Sequence, residues 1–328
     1  MKRRDILATA GLSAAGLALN GRMAAAQGDY PSRAVQMVVA FPPGGQADTV
    51  ARPVSSALER MWRQPVPVVN RGGAGGSIGS ASVARAQPDG YTLLMALSSL
   101  AMLPEADRIN GRPPAYTVDQ LAPIALITAD PTVLVVKADA PWRTLEDLVA
   151  DAKRQPGAIT YSSAGNYSTL HVAMAMFTGA ADIDMLHVPY AGGGPALTAL
   201  LSGTVQALSS GPGPALSHVR EGKLRALAQW GASRAPGFED VPTFKEKGYQ
   251  DVEFYIWAGV FAPAGTPAPV QQKLRDSLRQ AVQDEQLKIA LAAAGSPIDF
   301  REGEAFERFF REDSARLVRA VQRIGKVD

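Results

Sequence analysis

The 328-residue sequence has no cysteine. Disulfides, thiol nucleophiles, cysteine metal sites and a lipid-modified cysteine behind a leader are excluded, and the fold rests on its core alone. Histidine is nearly as scarce: His171, His187 and His218 are scattered, with no His-Glu-x-x-His motif and no clustered carboxylate spacing. No metal site follows from such a pattern, and no cofactor is expected. Neither sign of charge dominates, with 33 basic against 31 acidic residues. The footprint of a nucleic-acid or membrane-surface binder is missing, so no nucleic-acid partner is expected. Beyond the N-terminus no apolar run approaches the roughly 20 residues that span a bilayer.

What is present begins with residues 1–27, which combine a basic start, a mildly apolar middle and Ala24, Ala25 and Ala26 before Gln27. They read as an export signal. Arg3-Arg4 followed by Ile6-Leu7, in a segment diluted by Gly and Ala, favours the twin-arginine route and a periplasmic destination. The roughly 300 residues that remain exceed what one core readily organises, so two lobes are expected.

Strand-like apolar runs alternate with amphipathic stretches, the pattern of βα units. Val35–Ala40 leads through FPPGGQAD to a helix with Val50, Val54, Leu58 and Met61 on one face. Val66–Val69 leads through NRGGAGGSIG to a small-residue helix, and YTLLMAL (91–97) follows. A second set begins with TVLVVK (132–137) and a capping-box pair, Thr144 and Asp147. It continues through strands at 158–162, 184–190, 204–210 and 223–230 with helices between them. Residues 252–263, then helices at 267–294 and 303–325, complete the chain, with Phe306, Phe310, Leu317, Val321 and Ile324 at near-helical spacing. The expected fold is α/β, a two-lobed clamshell in which each lobe is a mainly parallel sheet flanked by helices. Residues 28–130 and 246–328 form a discontinuous first lobe and 131–245 the second, leaving a hinged cleft where loops at strand ends meet.

Three loops carry the chemistry. In FPPGGQAD, Gly44 and Gly45 stand where backbone N–H groups open a helix, a place that attracts anions, while Asp48 is suited to capping the same turn. Neither Gly-x-Gly-x-x-Gly nor Gly-Lys-Ser/Thr occurs there, so no nucleotide is indicated, and a purely structural turn stays open. SSAGNYST (162–169) offers Ser163, Gly165, Asn166, Tyr167, Ser168 and Thr169 before a helix that places His171 near the cleft. HVPYAGGGPA (187–196) offers Tyr190, Ala191, Gly192 and Gly193 before Pro195. A rival reading rests on Gly75-Gly76-Ser77-Ile78-Gly79, which has the Gly-x-Ser-x-Gly form of a hydrolase elbow with Ser77 as nucleophile. Against it, the glycines continue on both sides, Ser77 follows its strand by several residues, and no His-Gly-Gly-Gly segment exists.

Segments 30–52, 71–94, 159–177, 187–205 and 252–270, in order along the chain, resemble the periplasmic substrate-binding proteins of tripartite tricarboxylate transporters, the Bug family. The resemblance implies a clamshell that closes on a small organic carboxylate through backbone amides, hydroxyls and water, and delivers it as a monomer to membrane permease subunits. A sensory or scavenging binder without a permease is the other non-enzymatic reading. The ligand set so implied adds Phe41, Pro43, Ser98, Ser99, Ser210 and Trp257 to the loop residues. Two departures stand out: Ala175 replaces a glutamate and Ala191 a lysine usual in that family. With those charges gone, a ligand with one carboxylate and an apolar remainder is expected, flanked by Tyr167, Tyr190 and Trp257.

Overall fold

The computed structural model describes residues 30–327; the expected export signal lies outside them. β1 (Gln36–Val39) leads to α1 (Gln46–Trp62), whose Val50, Val54 and Leu58 are fully buried while Met61, in the last turn, is 37% exposed. β2 (Val68–Asn70), α2 (Ser77–Ala84), β3 (Thr92–Leu97), α3 (Ser99–Ile109) and β4 (Leu121–Pro131) follow. Only Thr132 separates β4 from β5 (Val133–Lys137). Beyond it come α4 (Leu145–Arg154), β6 (Thr160–Ser163), α5 (Thr169–Ala181), β7 (Leu186–Pro189) and α6 (Gly193–Leu201). β8 (Ala207–Ser210), α7 (Pro212–Arg220) and β9 (Leu224–Gln229) complete that set. The chain then returns through β10 (Tyr255–Pro263), α8 (Ala268–Ala281), α9 (Glu285–Ala293), β11 (Arg301–Glu302) and α10 (Gly303–Ile324).

Local chemistry sets the helix ends. The Asp147 N–H donates to Thr144 Oγ1 at 3.2 Å and the Thr144 N–H donates to Asp147 Oδ2 at 2.9 Å, the reciprocal box that starts α4. Asp284 accepts from the Leu287 N–H at 2.9 Å, and so divides the expected 267–294 helix into α8 and α9.

Two sheets result, in the orders β11-β4-β10-β3-β1-β2 and β7-β6-β8-β5-β9, flanked by helices as two α/β lobes. Both are mixed, where mainly parallel sheets were expected. β1 is parallel to β2 and β3, and β6 to β7 and β8. β10 is antiparallel to β3 and β4, and β5 to β8 and β9. The reason lies in the crossings: β5 and β10 enter their lobes from the hinge, so they start at the cleft and run away from it while their neighbours end there. At the crossing itself Pro131 pairs with Tyr255, and Val133 with Ser210 and Gln229.

The segment after β9 stays with the second sheet. Phe244 packs on Trp230 and Phe177, with ring centroids 4.4 and 4.7 Å away, and the Phe254 N–H reaches the Trp230 carbonyl at 2.8 Å. The return crossing therefore falls near Phe254, several residues beyond the expected boundary at 245. In the first lobe Phe306, Phe310, Leu317 and Val321 bury one face of α10. Among the described residues no helix is long and apolar enough to cross a membrane.

Candidate functional site

β1, β6, β7 and β8 each end at the cleft, and each is followed by a helix whose N-terminus points there. Serine closes one of these: Ser168 Oγ accepts from the His171 N–H at 3.3 Å at the start of α5. The residues before α1, α6 and α7 are Gly45, Gly192 and Gly211, and none supplies a side-chain cap. First-turn N–H groups of α1 and α6 lack intrahelical partners and carry partial positive charge, which suits an anion; in α7 Pro212 and Pro214 have no N–H, and the Gly213 N–H is already bonded by Gln46 Oε1.

These ends surround a cavity between the lobes. Its polar lining is Gly45, Gly193 and Gly211 with Gln46, Ser168, Thr169 and Ser210. Phe41, Leu97, Leu170 and Ile256 form its apolar wall. No lysine, arginine or histidine lines it. It encloses about 20 Å³, room for about one water molecule. The lobes touch around it: a Cβ added to Gly45 would stand 3.6 Å from Gly194 N, and one on Gly192 would strike Pro42 Cδ at 2.5 Å. A larger concavity of about 870 Å³ runs along α10, but there Arg316 is already paired with Asp313 at 2.7 Å.

The expected site residues divide into those at the cavity and those behind it. Phe41, Gly45, Ser168, Thr169, Gly193 and Ser210 line it. Pro43 and Gly44 sit on the exposed rim. The Gly44 N–H is already engaged by Asp48 Oδ2 at 3.1 Å, so the donor expected from Gly44 is not free. Asp48 thus closes the loop just before the helix and leaves the first-turn donors of α1 uncapped. Burial opposes its ionisation, yet Arg52, Asn70 and the Gly44 N–H hold its carboxyl below the usual range. Ser98, fully buried, bonds the Tyr255 carbonyl at 3.3 Å and lies 3.4 Å from Thr169 Oγ1 across the lobes; Ser99 is buried as the first residue of α3.

Behind the second-lobe loop, Ser163 Oγ lies 2.7 Å from His187 Nε2, and His171 Nδ1 accepts the Tyr167 N–H at 3.0 Å. The two imidazoles stack at 4.1 Å. Burial, with His187 adding to it, lowers the His171 pKa to about 3, and burial lowers that of His187 to about 4, so both rings are neutral struts. Tyr190 donates its N–H to the Ser163 carbonyl at 3.0 Å, and Ala191 is exposed.

The aromatic flank expected of Tyr167, Tyr190 and Trp257 is not formed at the cavity. Tyr167 turns away with Asn166 into a groove of about 610 Å³ shared with α2 and α3. There its hydroxyl donates to the Gly325 carbonyl at 2.8 Å and accepts from the Val327 N–H at 2.8 Å and Asn110 Nδ2 at 3.0 Å, tying the loop to the C-terminal segment. Trp257 is fully buried against Phe306 and Phe310 and donates to Asp313 Oδ2 at 2.8 Å.

The RGGAGGSIG stretch is a seam between the lobes. Gly73, Ala74, Gly75 and Gly76 all have positive φ, and a Cβ on Gly165 would lie 3.1 Å from Gly75 N. Ser77 opens α2 beside the outer groove, away from the cavity. His171 and His187, the nearest in kind to a base, are engaged with Tyr167 and Ser163.

One polar group on the cavity wall gave no sequence signal. Gln46 is 4% exposed and joins Asp130, Ser296 and Gly213, three segments remote in sequence. Burial, with Asp299 adding to it, pushes the Asp130 carboxyl up to about 7 against hydrogen bonds that lower it.

Residues 50–326 match the tripartite tricarboxylate transporter family receptor. Protein BugT of Bordetella pertussis is 35% identical over 301 residues, 90% of each chain. Of solved structures, the periplasmic binding protein BugD superposes with a TM-score of 0.85 at 30% identity, covering 91% of this chain and 100% of that one. MatC from Rhodopseudomonas palustris, with bound malate, gives a TM-score of 0.82 at 29% identity, covering 89% of this chain and 100% of that one. With a family match over most of its length and relatives of the same two-lobed fold, the chain belongs to the tripartite tricarboxylate transporter family receptors.

Proposed function

We propose that this chain is an exported, periplasmic, monomeric receptor that closes its lobes on a small organic carboxylate and hands it to the membrane subunits of a tripartite tricarboxylate-type transporter. One observation carries the reading: helix N-termini from both lobes, uncapped by side chains at α1 and α6, converge with Ser168, Thr169 and Ser210 on one interlobe cavity that no cationic side chain lines. Backbone dipoles and hydroxyls bind a carboxylate without a fixed countercharge. Malate in the related MatC supports the ligand class. The cavity holds far less than such a ligand, so loading requires the lobes to part and binding draws them together. The role is binding without turnover, since neither Ser77 nor the Ser163–His187 pair faces the cavity.

A thermal-shift panel of carboxylates tests this. At about 100 times Kd a true ligand stabilises the fold by about 2.7 kcal/mol, and mass spectrometry recovers it unchanged. Consumption of the ligand by wild type, abolished in Ser77→Ala, would establish the hydrolase instead.

A further inference from the structure

Gln46 begins α1 inside the cleft, and both ends of its carboxamide are engaged. Its Nε2 donates to Asp130 Oδ2 at 3.1 Å and to Ser296 Oγ at 2.8 Å, both in the first lobe. Its Oε1 accepts the Gly213 N–H at 3.1 Å, in the first turn of α7 in the second lobe. The orientation of the amide is fixed by chemistry, because a backbone N–H can only donate and must face the oxygen. The fit is close: a Cβ on Gly211 would stand 2.5 Å, and one on Gly213 2.9 Å, from that oxygen.

We propose that Gln46 is the specificity-determining residue of the cleft, taking up the α7 donor that a second ligand carboxylate would need and so restricting the ligand to one carboxylate. The inference deepens the carboxylate-receptor reading and rests on it. Of the helix ends without a side-chain cap of their own, those of α1 and α6 keep their first-turn donors for one anionic group. At α7 an incoming carboxylate meets the Gln46 carbonyl oxygen in its place, with the Asp130 carboxyl, 2% exposed, directly behind. Two acceptors facing each other repel, and a buried carboxylate without a donor is costly. The rest of the ligand then lies against Phe41, Leu97, Leu170 and Ile256, which suits an apolar chain. Shortening residue 46 creates both the space and the free N–H that a dicarboxylate requires.

Titration calorimetry with butyrate, hexanoate, succinate and adipate on wild type, Gln46→Ser and Gln46→Met tests the assignment, with thermal melts to establish that each variant is folded. In wild type the dicarboxylates bind at least about tenfold more weakly than the monocarboxylates of equal length, the difference made by one hydrogen bond to a charged group. Gln46→Ser narrows or reverses that ratio. Gln46→Met keeps the volume but lacks the acceptor, and narrows it less; it carries the test if the serine variant fails to fold. Equal binding of both classes by wild type, or a ratio unchanged in both variants, would overturn the assignment while leaving the carboxylate receptor intact. No heat from any of the four acids would count against the carboxylate reading itself, and the assignment falls with it.

Discussion

Two glycine-rich loops leave neighbouring parallel strands of the first sheet, and they use glycine for opposite ends. In the 41–48 loop, Gly45 has ordinary extended geometry, φ −94°, and keeps its amide at the uncapped start of a 17-residue helix. A Cβ there meets nothing closer than 3.6 Å. In the 71–79 loop, glycine is needed for shape: left-handed residues follow one another, and a Cβ on Gly79 would lie 2.6 Å from Ala40 Cα and 2.7 Å from the Arg71 carbonyl oxygen. On the function proposed above, the first loop offers backbone to a ligand, while the second lets backbone approach backbone. Similar composition thus encodes an accessible backbone edge in one case and a packing seam in the other.

Substitutions separate the two. Gly79→Ala should cost the most, about 3 kcal/mol of stability, because both obstructing atoms belong to rigid backbone; urea unfolding measures it, and an unchanged midpoint would dissolve the distinction. Gly45→Val should fold within about 1 kcal/mol of wild type, yet lose the roughly 2.7 kcal/mol that saturating ligand confers, because its branches fill the gap to Gly193 and Gly194. Retained thermal shift in that variant would remove the first loop from the site.

Proton linkage sharpens the contrast, since the first loop leans on Asp130 through Gln46. The folded chain holds the Asp130 proton up to about pH 7, whereas its ordinary value is 3.8, so this group lowers stability as pH rises from about 4 to 7, by about 1.4 kcal/mol per unit. His171 and His187 act the other way. They are neutral in the fold above about pH 4 and charged in the unfolded chain below 6.5, so they add stability as pH rises toward 6.5. Asp130→Asn should therefore steepen the rise between pH 4 and 6.5 and remove the decline that follows it; melts across that range decide. The smallest effect belongs to Ser77→Ala, expected within about 0.5 kcal/mol and without influence on binding.

Much of this was legible because glycine and proline punctuate the chain. The loops at 41–48, 162–169 and 187–196 announced themselves, as did the Thr144 box. Strand direction was not legible, because periodicity reports which face is buried and is blind to which way a strand runs. Residues 98–131 gave no element: Pro104 inside α3 and Pro123 and Pro131 inside β4 break the patterns that mark helices and strands. Trp257 was expected at the ligand from the resemblance; β10 is buried on both faces, and its sequence does not tell cleft from core. Gln46, Asp130 and Ser296 share no local motif and meet only through the fold.

The small volume of the cavity has a kinetic consequence. On the reading proposed above, a ligand much larger than the cavity leaves no faster than the lobes part, and it arrives only during the intervals when they are apart. Capture rates should then rise with concentration at first and level off at the opening rate. Affinity also carries the cost of whatever fraction of time the chain spends unable to accept a guest. A receptor built this way sets its residence time through the contacts between Gly44, Gly45 and Gly193, Gly194 as much as through anything the ligand itself touches.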